Sequence, residues 1–514
     1  MPAHERFFFF RGGGSLADGE VETPAAVFRG GMRMTGPDSP SRALPLCVDL
    51  DGTLVRTDTL VEGGIALLGR LDFGTLVRGA AKGRAGLKAA VARAAPVDPA
   101  SLPYNETLLA YLRTERAGGR RIVLATAADE TVARAVAGYL DMFDEVLAST
   151  AGRNLKGEAK AAALVARFGA GGFVYVGDSA ADLAVWRQAA AAGLVNAAPA
   201  VAAKAWAAVP VEFEIADRPA LAPALLRAMR PHQWIKNVLV FLPILTANAL
   251  DDRASWMGGV LAFLAFSAAA SAIYLVNDLL DLAADRAHPV KRLRPFAAGA
   301  APLPAGMVLA PGLLVLGLGL GVWAGIGGPV LVYAAASLAY SLRLKREPLI
   351  DVFTLAGLYT LRLLGGGEAT GHTLSLWLLA FASFLFLSLA LVKRVAEAME
   401  SADRAAKSLR GRGYGPEDLT ILQLFGVCAS FASCLVLALY VQNEAAGGRF
   451  ASPGVLWGIV PLMLLWNCRM WLSTARGYMH HDPIMYAARD RVTWWIFLAM
   501  TVLALLARTG FPFR

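Results

Sequence analysis

The sequence predicts a soluble α/β domain followed by an all-α domain that crosses a membrane about nine times. Three observations point there. The 514 residues are 56% hydrophobic and 17% charged, with a mean hydropathy of +0.50, which is too apolar for an ordinary soluble chain. Apolar residues come in short runs up to about residue 216, and from about residue 225 in runs near the roughly 20 residues that a bilayer requires. Basic residues crowd into alternate loops of that second part.

Residues 1–43 are rich in Gly, Pro, Ser and Arg and are predicted to be disordered; Phe7 to Phe10 are too short a run for a signal-peptide core. Residues 44–215 form the α/β domain, with apolar strands at Leu44 to Asp49, Arg121 to Ala125 and Gly172 to Val176. The segment inserted at 58–99 has a helical pattern (Leu60, Ile65, Leu67, Leu68, Leu71) and reads as a small cap. Its Arg70, Arg78, Lys82, Arg84 and Lys88 face the membrane, an anionic substrate or simply water. Residues 216–229 read as a linker before the membrane domain, 230–514. Spans are expected near 234–250, 256–278, 305–325, 328–342, 349–366, 373–392, 420–441, 453–472 and 492–510, several interrupted by Gly or Pro. The loops after the second, fourth, sixth and eighth carry the Lys and Arg, which puts them and the α/β domain in the cytoplasm, at an inner membrane. The net charge of +9 resides in these loops, which suits lipid headgroups and phosphates and not nucleic acid. Cys47, Cys428, Cys434 and Cys468 show neither metal-ligand spacing nor a disulfide framework.

Two groups of residues carry chemistry. In the α/β domain, the first strand ends in Asp49-Leu50-Asp51-Gly52-Thr53, where open α/β sheets place their sites. Thr126 ends the second strand, Asp178 and Asp182 follow the third, and Lys160 stands on the helix between them, with Lys156 as its competitor. These four motifs, in order, resemble the haloacid dehalogenase (HAD) superfamily. The resemblance implies a Rossmann-like fold with Asp49 as phosphoryl-accepting nucleophile and Asp51 as general acid/base. It implies Thr126 and Lys160 on the phosphoryl oxygens, and Mg²⁺ held by Asp49, Asp51 and Asp178 with Asp182 in support. A carboxylate nucleophile divides ester hydrolysis into two steps, and cations offset charge on the transferring group.

In the membrane domain, Asn277, Asp278, Asp281 and Asp285 end the long apolar run from Trp256. Helical spacing stacks 277, 281 and 285 on one face. Bare carboxylates this close repel, unless a divalent cation and its diphosphate sit among them. Mg²⁺ takes such oxygen ligands, and Lys291, Arg292 and Arg294 follow at once to hold phosphate. A solvated helix end with stray charges is the plain alternative. Lys236 and Asn237 open the first span, Lys236 either at a phosphate or snorkelling to lipid. Tyr340, Lys345 and Asp351 join spans four and five. Arg362 lies about three turns into span five, with Asp281 or a bound phosphate as its expected partner. The adjacent His480 and His481 read as an ordinary loop.

The Asn277–Asp285 pattern resembles the UbiA superfamily of intramembrane prenyltransferases. Arg230 to Asn237, Asn277 to Pro295, Tyr340 to Asp351 and Leu409 to Leu419 are similar to its decaprenyl-phosphate phosphoribosyltransferase branch. That resemblance implies phosphoribosyl pyrophosphate (PRPP) as donor and a polyprenyl phosphate as acceptor. Asn277, Asp278, Asp281 and Asp285 would be the Mg²⁺ and PRPP ligands, with Asp281 and Asp285 central to catalysis, and Lys236, Lys291, Arg292, Arg294 and Lys345 would take the phosphates. The HAD-like domain would then remove the 5-phosphate. A homo-oligomer stays open. Two other functions remain: a prenyltransferase acting on a prenyl diphosphate and a small aromatic acceptor, and an inactive membrane scaffold.

Overall fold

The computed structural model describes residues 27–28, 31–34, 40–403, 413–446, 450–479 and 482–510. The chain forms two compact units: residues 1–54 with 104–218, and residues 55–103 with 219–514.

The first unit is an eight-stranded sheet. Its strands are β1 (Val27–Phe28), β2 (Met32–Met34), β3 (Leu46–Val48), β4 (Ile122–Asp129), β5 (Glu145–Ser149), β6 (Val174–Gly177), β7 (Ala191–Val195) and β8 (Val211–Ile215), in the order β1-β2-β8-β7-β6-β3-β4-β5. β3 to β8 pair in parallel, β2 adds antiparallel to β8, and β1 adds antiparallel to β2. Leu46, Cys47 and Val48 are fully buried, as a strand covered on both faces must be. From β3 the chain winds outward to β4 and β5, then returns to β6 on β3's other side. The strand order therefore reverses beside β3, and the crevice at its carboxyl end is where such sheets bind ligands. Two strands fall inside the stretch expected to be disordered. Met32 is buried on β2, and Gly31 at φ +80° supplies the turn before it, so apolar alternation is enough to extend the sheet.

The second unit is helical. Among the described residues six helices are long and apolar enough to cross a membrane: Arg253–Leu280, Leu303–Trp323, Leu376–Glu400, Leu419–Asn443, Pro453–Ala475 and Arg491–Thr509. Three of the nine expected spans lie outside this set. Residues 234–250 form a 3₁₀ segment, Pro231–Phe241, and the short helix Leu242–Thr246, with Pro243 at the junction. Gly327–Leu342 has only 16 residues, about 24 Å of rise and short of the hydrocarbon core. Ile350–Thr370 is long enough but buries Asp351 and Arg362, so it lines the interior.

Two more segments differ from expectation. The linker is a packed helix, Leu221–Met229, whose Ala224 and Ala228 are buried. The insertion forms the helices Thr59–Gly69, Phe73–Ala81 and Gly83–Ala94 and groups with the second unit instead of the sheet. The reason is apolar: Ile65 is buried in one cluster with Ala224, Ala228, Leu275, Leu279 and Phe296.

Candidate functional site

Each unit has its own cluster of chemically active side chains. In the sheet unit, β3 delivers Asp49 and β6 delivers Asp178. Asp49 is buried; its Oδ1 accepts from the Leu50 amide at 2.8 Å and its Oδ2 stands 3.0 Å from Lys160 Nζ. Lys160 is buried while Lys156 is exposed, so Lys160 is the lysine that meets the aspartate. Lys160 donates to Tyr175 Oη at 2.6 Å, and Tyr175 donates to Asp182 Oδ1 at 2.9 Å. Asp182 Oδ2 takes the Ser179 amide and hydroxyl at 3.0 and 2.8 Å. That carboxylate is therefore engaged by protein donors. Thr126, fully buried, accepts the Ala128 amide at 3.0 Å. Gly52, at φ +82°, has no room for a side chain: a Cβ there would lie 2.4 Å from Asp178 Oδ2.

Asp49, Asp178 and Asp182 offer carboxylate oxygens within 4.8 Å of one another. Hard oxygen donors so arranged fit Mg²⁺. The half-buried Asp51 side chain is not part of this trio. Burial pushes the Asp178 carboxyl up to about 7, with Asp49 and then Asp182 adding to the shift. Burial likewise raises Asp49, although the Lys160 ammonium pulls it back. Burial alone would lower Lys160; Asp49 and Asp182 outweigh it and the ammonium is held above its ordinary range. Tyr175 is pushed far up by burial and by Asp182, so it stays a hydroxyl.

In the membrane unit, the Arg253–Leu280 helix carries Asn277 and Asp278, and Asp281 caps it. The turn continues: the Asp281 amide bonds Asn277 O at 2.9 Å and the Asp285 amide bonds Asp281 O at 2.8 Å, so 277, 281 and 285 do follow helical spacing. Each carboxylate meets a cation. Asp278 pairs with Arg230 at 2.5 Å and Arg294 at 3.2 Å, Asp285 with Arg294 at 2.6 Å, and Asp281 with Lys345 at 3.1 Å. Three carboxylates and three cations thus share one site. The aspartates do not form a close trio by themselves, because at such separations their charges favour interposed cations. One oxygen is left over: Asp278 Oδ2 is buried and has no hydrogen-bond partner. An orphaned carboxylate oxygen beside guanidinium and ammonium groups fits a divalent cation with phosphate ligands. Asn277 is half-buried, and Lys291 and Arg292 are exposed on the loop that follows.

Other expected site residues are engaged elsewhere. Lys236 is buried and paired with Asp482. Asn237 donates to Ser267 at 2.9 Å and accepts from Arg362 Nε at 2.6 Å. Arg362 also donates to Leu358 O at 2.6 Å and Tyr333 Oη at 2.8 Å, so its partners are neutral groups and not Asp281. Helix Ile350–Thr370 points it inward, where polar neighbours already exist. Tyr340 and Asp351 belong to a second cluster: buried Arg394 pairs with Asp351 and Glu397 and donates to Tyr340 Oη at 2.6 Å, while Tyr414 also donates to Asp351. Sequence reading passed over Tyr175, Arg230, Asp482 and Arg394 as site residues. Each had a signal: a tyrosine within a valine strand, or a charge beside an apolar run. His480 and His481 lie outside the described residues.

The profile of the UbiA prenyltransferase family matches residues 238–482, and that of haloacid dehalogenase-like hydrolase matches residues 60–187. An uncharacterized protein, y4nM, of Sinorhizobium fredii is 36% identical over 475 residues, 91% of this chain and 92% of its own length. A decaprenyl-phosphate phosphoribosyltransferase of Mycobacterium tuberculosis is 38% identical over 299 residues, 56% of this chain and 94% of its own. A UbiA homologue from Archaeoglobus fulgidus, solved with DMAPP and Mg²⁺, aligns with a TM-score of 0.44 at 16% identity over 55% of this chain and 97% of its own.

Proposed function

Because the chain belongs to the UbiA prenyltransferase family and carries a haloacid dehalogenase-like hydrolase domain, we propose that it catalyses two successive reactions on a polyprenyl phosphate. The first transfers 5-phosphoribose from PRPP to the lipid phosphate and releases pyrophosphate. The second hydrolyses the ribose 5-phosphate, leaving polyprenyl-phosphoryl ribose. The observation that carries the first step is the matched set of Asp278, Asp281 and Asp285 with Arg230, Arg294 and Lys345, one carboxylate oxygen still unpartnered. Such a set can exchange its internal ion pairs for a metal on the carboxylates and phosphates on the cations at little electrostatic cost. The name of the mycobacterial relative supports the choice of donor and acceptor.

In the transfer, a lipid phosphate oxygen forms a bond to ribose C1 as the C1–O bond to pyrophosphate breaks. The attacking oxygen is already ionised at neutral pH, so no general base is needed. Arg230, Arg294 and Lys345 would hold the departing and attacking phosphates by charge-assisted hydrogen bonds. In the hydrolysis, an Asp49 oxygen forms a bond to phosphorus while the ribose 5-oxygen leaves with a proton from Asp51. Water, deprotonated by Asp51, then releases inorganic phosphate from Asp49. Lys160 offsets charge on the phosphoryl oxygens, and Tyr175 and Asp182 fix its ammonium. Mg²⁺, when bound at Asp49 and Asp178 and at the membrane aspartates, would neutralise charge developing on phosphate oxygens. The basic loops support a cytoplasmic position for both sites.

The reaction mixture decides between donors. Purified protein with Mg²⁺ and polyprenyl phosphate is expected to release pyrophosphate from PRPP; turnover of a prenyl diphosphate with a small aromatic acceptor, and none of PRPP, would overturn the reading. The hydrolase half has a pH signature. Asp178, raised to about 7, is protonated by the fold below that value. Its contribution to stability without metal is therefore present at low pH and is lost as pH rises from about 4 through 7. Metal and proton compete for the same oxygens. The Mg²⁺ concentration that half-activates hydrolysis of a phosphate monoester should thus rise as pH falls below about 7, approaching about tenfold per pH unit. A constant half-activating concentration between pH 5.5 and 8 would contradict this, the pH limits being those of the assay, roughly the span over which a carboxyl of this kind titrates.

A further inference from the structure

The hydrolase-like insertion is bound to the aspartate motif of the membrane site. Glu62, on the helix Thr59–Gly69, accepts from both terminal nitrogens of Arg286, at 2.6 and 3.0 Å, and from the Thr57 hydroxyl at 3.1 Å. The pair is nearly shut off from water, with side chains 11% and 4% exposed. Arg286 ends the short helix Leu282–Arg286 that carries Asp285. Its Nε donates at 3.1 Å to Ala297 O, just beyond Arg294. Asp285 and Arg294 are themselves paired at 2.6 Å. One guanidinium therefore ties together the aspartate helix, the arginine loop and the insertion. Two further contacts reinforce it: Ile65 packs with Leu275, Leu279 and Phe296, and at Gly299, φ +66°, any Cβ would lie 2.4 Å from Arg56 Cβ.

We propose that the insertion is a working part of the transferase site, with Glu62 as a positioning residue that acts through Arg286. Bidentate pairing fixes the plane of the guanidinium, so Glu62 sets where Arg286 holds Asp285 and Arg294 relative to each other. A buried guanidinium deprived of its carboxylate must turn to find water, and the two arms of the site then separate. The inference rests on the transferase reading for its kinetic consequence and not for its structural one.

Both are tested on the full chain in lipid nanodiscs with Glu62→Gln and Glu62→Asp. For Glu62→Gln, we expect hydrogen exchange to rise across residues 282–299 and KM for PRPP to rise at least about tenfold, as for loss of one charge-assisted contact. Hydrolysis of p-nitrophenyl phosphate should match wild type. Glu62→Asp, which restores the charge, should recover most of the KM. Exchange and KM both at wild-type values in Glu62→Gln would overturn the proposal, as would equal losses in both activities, which mark general unfolding. Raised exchange in a protein whose wild type is inert towards PRPP would uphold the brace and reject the donor instead.

Discussion

Asp281→Asn protein, given PRPP, polyprenyl phosphate and Mg²⁺, should form lipid-linked phosphoribose at least about 10³-fold more slowly than wild type. Among the three motif aspartates this is the cleanest to change. Asp278 and Asp285 are nearly buried and hold Arg230 and Arg294, so neutralising either strands a guanidinium. Asp281 is 32% exposed and pairs with Lys345 alone at 3.1 Å. Such a partly exposed pair contributes about 0–1 kcal/mol to folding, so the variant should keep its melting temperature and its hydrolase activity. What it loses is one anionic oxygen ligand, and with it the balance between carboxylates and cations. Transfer within roughly tenfold of wild type, a difference of only about 1.4 kcal/mol in barrier, would remove Asp281 from the machinery.

The second large effect is at Asp49. Asp49→Asn should cut phosphate release at least about 10³-fold and leave the lipid carrying its 5-phosphate. The amide cannot accept a phosphoryl group. The site should stay folded, because Lys160 keeps Tyr175 at 2.6 Å and Asp182 at 3.7 Å after losing its charged partner at Asp49. Transfer should be unchanged. If removal of the 5-phosphate continues at its normal rate, polyprenyl-phosphoryl ribose appearing as before, Asp49 does not carry that hydrolysis.

How much of this was legible beforehand follows the range of each interaction. Asp49, Thr126, Lys160 and Asp178 could be placed because parallel strands carry their carboxyl ends to one crevice, and the apolar runs reveal the strands. The motif at 277–285 was legible because its members recur at helical spacing. Partners distant in sequence were not. Arg230 reaches Asp278 across 48 residues and Glu62 reaches Arg286 across 224, and no periodicity encodes either. The expected spans outside the six long apolar helices were harder to read for a related reason. Hydropathy registers residues 234–250 and 349–366 as apolar, but not that Pro243 breaks the first or that Arg362 turns the second inward onto Asn237 and Tyr333. The insertion at 58–99 was recognised as helical, while its attachment depended on where Ile65 and Glu62 would find their complements.

On the proposed function, the membrane aspartates serve a phosphoribosyl donor. A mass spectrum of the lipid recovered after incubating wild-type protein with PRPP, polyprenyl phosphate and Mg²⁺ tests it most directly. The expected product is a species heavier than the acceptor by one phosphoribosyl group, giving way to one heavier by a ribosyl group. An acceptor of unchanged mass, in a preparation that hydrolyses phosphate monoesters normally, would contradict it.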